Sequence, residues 1–146
     1  EKLGGHAMNS QNHIMLGSID AWFYRVLAGL SPLLPGWKAV RVRPHVLGDL
    51  EFVEARLETV SGTVAASWRR SGNDLVLDVA LPPGATGEVH VPLLRPGASV
   101  VESGRTVWRA GRAADPSPEV EPVGGDRGRA VFKTGSGEYR FEQKAQ

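Results

Sequence analysis

Apolar residues recur at intervals of three and four over residues 8–30, and at intervals of two in most segments after residue 38. The first spacing predicts a helix and the second a series of half-buried strands. In the helical stretch Ile19, Trp22, Phe23, Val26, Leu27 and Leu30 fall on one stripe, which Met15 and Leu16 extend by a turn toward the N-terminus. A stripe this wide requires other helices or a sheet to cover it. Asn9, Ser10, Gln11, Asn12 and His13 precede it, so a hydrogen-bonding cluster is expected at the helix start, where backbone N–H groups lack partners. Gly29 and the run SPLLPG over residues 31–36 end the helix, because each proline removes a donor and biases its predecessor away from helix. The expected domain division is therefore residues 1–34 and residues 35–146.

Beyond that point the alternation is regular. Val40 and Val42 oppose Arg41 and Arg43, and Val53, Ala55 and Leu57 oppose Glu54, Arg56 and Glu58. The inward rows continue with Val64, Ala66 and Trp68, and then with Leu75, Leu77, Val79 and Leu81 after an SGN hairpin turn. Val89 and Val91 are placed inward with Glu88 and His90 outward. Weaker strands follow at residues 99–102 and 106–109. Residues 113–122 read as an exposed loop, VGGDRG as a turn, and Tyr139 and Phe141 as the last inward positions after a GSG hairpin turn. Eight or nine strands separated by about 8–12 residues predict an antiparallel sandwich. The fold class is thus mainly β, with one N-terminal helix.

Composition narrows the functional classes. A formal charge of +1, with acids and bases interspersed, gives no nucleic-acid or acidic-membrane footprint. The chain has no cysteine, hence no disulfide or thiolate chemistry, and no apolar run approaches membrane-spanning length. His6 and His13 lie seven residues apart and could share a helical face, but without a third ligand nearby no metal site is expected. The GG and GSG sequences lack the Lys-Ser/Thr and the following helix of a phosphate loop, so no cofactor is expected either. Glu51, Glu54 and Glu58 read as a solvated strand face and Trp68 as core. Trp37 and Trp108 lie near turns, where they would cover a seam between domains or stack on a sugar; the seam is favoured.

MNSQNHIMLGSIDAWFYRVLAGL followed by PGWKAVRVRPHVLGDL, together with SGTVAASWRRSGNDLVLDVALPPGATGEVHVPL, SVVESGRTVW and TGSGEYRFE, resembles the C-terminal end of bacterial α-L-rhamnosidases of glycoside hydrolase family 78. The resemblance covers essentially the whole chain. It implies that residues 1–34 end an (α/α)6-barrel catalytic domain, and that the helix is that barrel's last. Residues 35–146 then form the family's C-terminal β-sandwich. It implies further a parent that hydrolyses terminal α-L-rhamnosyl residues with inversion, one carboxylic acid protonating the leaving oxygen and one carboxylate activating water. The family's acid lies upstream, and its base sits in a Trp-Glu motif that this chain lacks; Glu1 is at most the tail of that motif. No catalytic residue is therefore expected here.

The one position the resemblance carries over is His13, as a substrate-binding residue that lines the rhamnose subsite; a histidine that only caps the helix or bonds neighbouring loops is the plainer role. The implied partners are a rhamnose-containing glycoside and the N-terminal remainder of the barrel. A chain opening in mid-pattern at Glu1 also reads as a cut piece. The competing expectation is an autonomous β-sandwich module for carbohydrate binding or protein contact. Such a module would bury the Trp22/Phe23/Val26 stripe, whereas a barrel remnant would expose it.

Overall fold

The computed structural model describes residues 14–115 and 117–144, with side chains from residue 18 onward. The helix α1 runs Ile14–Trp22 and closes in a π-helical turn, Phe23–Leu27, in which the Ala28 N–H donates to the Phe23 carbonyl at 3.0 Å. Gly29, at φ +76, then reverses the chain.

Twelve strands follow among the described residues: β1 Leu30–Pro32, β2 Ala39–Val42, β3 Phe52–Thr59, β4 Gly62–Ser71, β5 Asp74–Leu81, β6 Thr86–Pro92, β7 Ser99–Glu102, β8 Arg105–Arg109, β9 Arg112–Ala113, β10 Val120–Gly125, β11 Arg129–Thr134 and β12 Gly137–Lys144. They form a five-stranded sheet, β1-β2-β6-β11-β10, and a seven-stranded sheet, β3-β4-β5-β12-β7-β8-β9. The inner faces meet in one core. Val40, Val42, Val89, Val91 and Phe132 come from the first sheet; Val64, Trp68, Leu77, Val79 and Phe141 come from the second. Phe132 and Phe141 stack across it with centroids 5.3 Å apart, worth about 0.5–1.5 kcal/mol beyond the burial of their area.

The inward rows predicted for β2, β4 and β5 are the buried ones, and that of β3 is half-buried, because a pleated strand with one covered face must alternate. Several details differ from the sequence reading. Leu30, the last member of the predicted helical stripe, belongs to a strand: β1 pairs antiparallel with β2, Leu30 opposite Val42 and Pro32 opposite Val40. Pro32 is tolerated because β1 is an edge, with no further strand for it to donate to. One pair is parallel, β2 with β6, joined by a crossover through β3–β5 of the other sheet. GSG is not a hairpin turn, since it carries the chain from β11 in one sheet to β12 in the other. Part of VGGDRG is strand β10, which bulges between Pro122 and Gly124. Trp108 is core rather than seam, edge-on to Phe132 at 6.4 Å.

β1 and β3 are edges of opposite sheets, and the tail of the helix lies in the seam between them. The buried Trp68 indole N–H donates to the Leu27 carbonyl at 2.8 Å. The Tyr24 hydroxyl donates to the Arg56 carbonyl of β3 at 3.2 Å, and the His45 N–H donates to the Val26 carbonyl at 3.1 Å. Carbonyls that a helix end leaves without partners are thereby satisfied by the sandwich.

Candidate functional site

His13, the residue expected to contact substrate, lies outside the described residues, as do His6 and the polar run before it. The helix after them is described, and its apolar stripe is split. Leu27 and Ala28 are buried in the seam, whereas Ile19, Trp22 and Phe23 are 50%, 42% and 45% exposed. Trp22 and Phe23 pack edge to face at 5.6 Å, which keeps two large rings together on an open flank. The sandwich covers only the last turn because the chain enters it through Gly29, whose α-carbon lies against the Arg43 backbone.

A connected set of ionisable groups lies on the outer face of the five-stranded sheet. Register places Arg41, Glu88 and Lys133 in one row, and His90 beside Val131 in the next. His90 lies on the outer face, as its alternation predicts, but is only 7% exposed, against a neighbour, Val131, that is itself 8% exposed. The Glu88 carboxylate meets His90 Nε2 at 2.8 Å and accepts from Arg41 Nε at 2.9 Å. The hydrogen bond to His90, then that from Arg41, holds its pKa below the usual carboxylate range against the opposing effect of burial.

Alongside, Arg43 donates to Asp126 at 3.1 Å, and Arg129 has its pKa lowered by burial and by the nearby Arg43. A carboxylate–imidazole pair can serve as a general base. Here, however, no hydroxyl bonds to His90 among the described residues, and Arg41 donates to the same Glu88 oxygen, Oε1, that meets His90. The arrangement fastens β2 to β6 rather than moving a proton to a substrate.

The acidic row of β3 is a surface, as its alternation predicted. Glu58, fully exposed, has its pKa lowered by a hydrogen bond from Thr63 and then by Arg56. Trp37 is half-buried against the core, and no three of His, Asp, Glu and Cys stand close enough to hold a metal among the described residues.

The sequence model of the family "Bacterial alpha-L-rhamnosidase C-terminal domain" matches residues 29–106. The α-L-rhamnosidase of Streptomyces avermitilis is 33% identical over 134 residues, 92% of this chain and 12% of its own length. The chain thus spans about an eighth of that relative. The structure of the α-L-rhamnosidase from Dictyoglumus thermophilum superposes with a TM-score of 0.80 at 37% identity, covering 99% of this chain and 15% of that one. The Streptomyces avermitilis α-L-rhamnosidase complexed with L-rhamnose gives 0.76 at 31% identity, covering 94% and 12%. The chain is thus similar to these α-L-rhamnosidases both in sequence and in fold. The chain belongs to the bacterial α-L-rhamnosidase C-terminal domain family.

Proposed function

We propose that the chain is the closing part of an inverting α-L-rhamnosidase, with α1 as the last helix of an (α/α)6-barrel catalytic domain over residues 1–34 and the sandwich over residues 35–146 as its buttress. The observation that carries this reading is the half-exposed Ile19/Trp22/Phe23 flank, adjacent to a helix tail that the sandwich buries. An apolar stripe that the chain's own strands leave open is suited to neighbouring helices. The L-rhamnose complex of a relative supports a rhamnose-containing glycoside as ligand of the whole enzyme.

In this reading the acid that protonates the leaving oxygen and the base that activates water both come from the barrel upstream. The chain contributes His13, whose imidazole hydrogen-bonds rhamnose hydroxyls, and the seam that fixes the orientation of α1, which follows it in the chain. The test is hydrolysis of an aryl α-L-rhamnoside by the polypeptide extended upstream, with the anomer of the released sugar followed by NMR. Cleavage to the inverted anomer, with no turnover by the 146-residue chain alone, is expected. In the extended enzyme His13→Ala lowers kcat/KM by about 10–100-fold, as expected for a lost polar contact to substrate. An unchanged value removes His13 from the subsite, and retention of configuration removes the inverting mechanism.

A further inference from the structure

The outer face of the seven-stranded sheet is hollowed. Ala65 of β4 and Ala80 of β5 are cross-strand partners; Arg56 of β3 stands opposite Ala65, and Glu138 of β12 stands opposite Ala80. One row across four strands therefore reads Arg–Ala–Ala–Glu, a guanidinium and a carboxylate closing the ends of a trough whose floor is two methyl groups. With strands about 4.8 Å apart, its ends are about 14 Å apart from backbone to backbone. The next row is Glu54, Ser67, Asp78 and Arg140. Together the two rows line an open groove of ≈ 500 Å³.

Alanine fits poorly at a half-exposed strand position, where β-branched or longer residues pack against their neighbours. Two alanines in direct register remove the side-chain layer at one place on the sheet. The charges around it are mixed, three carboxylates and two guanidiniums. Arg140 is shared between Asp78 at 3.3 Å and Glu142 at 3.5 Å, while Glu54 and Glu138 make no ion pair among the described residues.

A ligand here must both donate and accept hydrogen bonds at short intervals. A phosphate would face three carboxylates, and an apolar ligand would strip water from five charges. An added peptide strand docks along a sheet edge, whereas this groove runs across strands of which only β3 is an edge. We propose that the groove is an accessory binding site for a neutral glycan. The C–H face of a sugar ring rests on Ala65 and Ala80, its hydroxyls donate to Glu138 and Asp78, and they accept from Arg56 and Arg140. The inference rests on the proposed function only for the choice of a rhamnose-bearing glycan.

The test is NMR titration of the ¹⁵N-labelled chain with an α-L-rhamnosyl-glucose disaccharide. Saturable shifts are expected at the amides of Ala65, Ala80 and Glu138. Ala80→Leu, which fills the trough, and Glu138→Gln, which keeps its shape, each raise Kd by about tenfold, a loss of about 1.4 kcal/mol. The dispersed spectrum of each variant reports its fold, and Glu138→Gln serves where Ala80→Leu does not fold. Absence of saturable shifts at these amides, or an unchanged Kd in a folded variant, overturns the proposal. Hydrolysis is measured separately on the extended polypeptide. An active enzyme with a silent groove refutes the groove alone, and a binding groove on an inactive enzyme refutes the hydrolase alone.

Discussion

Gly29→Ala tests whether the helix tail is locked to the sandwich. Gly29 has φ +76, and a Cβ there would stand 2.1 Å from the Arg43 carbonyl carbon and 2.2 Å from the Pro44 nitrogen. Gly104, at φ +82 in the β7–β8 turn, is the control, since a Cβ there meets nothing within 4 Å. Each alanine carries the left-handed backbone penalty of about 1–2 kcal/mol. At Gly29 the obstruction is backbone, which cannot swing aside as a side chain can, so the junction must open. Opening it loses the Arg43 N–H to Gly29 carbonyl bond, 2.9 Å long and worth about 1 kcal/mol. It also loosens Ala28 and Leu30, each 1% exposed, for about 1–3 kcal/mol more. The sum is about 3–6 kcal/mol, against about 1–2 for Gly104→Ala. With a urea m-value of about 2 kcal/mol/M, the midpoint falls by about 1.5–3 M for Gly29→Ala and by about 0.5–1 M for the control. Equal midpoints for the two variants would mean that the backbone approach at Gly29 is not a real constraint.

Trp68→Phe removes the donor to the Leu27 carbonyl and part of a side chain only 1% exposed; a loss of about 2–4 kcal/mol is expected by denaturation, and a change below about 0.5 kcal/mol counts against the seam bond. Glu88 titrates lower in the folded chain than unfolded, so its stabilisation is present above the usual carboxylate pKa and is lost as pH falls through the lowered value. Glu88→Gln should therefore be less stable than the unaltered chain at neutral pH, with the gap closing as pH falls through the lowered Glu88 value; a gap independent of pH contradicts the assigned pairing. The exposed Trp22/Phe23 flank predicts self-association that grows with concentration in sedimentation velocity, and Trp22→Ser with Phe23→Ser should abolish it. An unaltered chain that stays monomeric at high concentration removes this prediction.

The strands were legible wherever one face is covered, as in Val64–Ala66–Trp68 and Leu75–Leu77–Val79, because burial forces a period of two. The features that escaped the sequence reading depend on partners far away in the chain. Leu30–Pro32 reads as a helix stop, and only its pairing with Val40–Val42 makes it a strand. The parallel pairing of β2 with β6 leaves no local trace, since the crossover between them is itself a hairpin series in the other sheet. His90 reads as outward and is outward, yet it is buried; alternation tells which way a side chain points, not what its row neighbours cover. The trough at Ala65 and Ala80 required the register to be known, because each alanine alone is unremarkable in its strand.

Within a dozen residues the helix passes from a half-exposed flank at Ile19–Phe23 to a tail at Leu27–Ala28 that the sandwich encloses. The change of environment coincides with the π-helical turn Phe23–Leu27, at whose end the Leu27 carbonyl accepts from the Trp68 indole. In the proposed enzyme the turn thus allows one helix to serve two neighbours, barrel helices on its flank and the sandwich at its end. Damage at Gly29 or Trp68 should then reach hydrolysis through the orientation of α1, reducing kcat/KM in the extended polypeptide although neither residue touches the sugar. Retention of full activity in a folded Trp68→Phe enzyme would show that the sandwich stabilises the helix without orienting it.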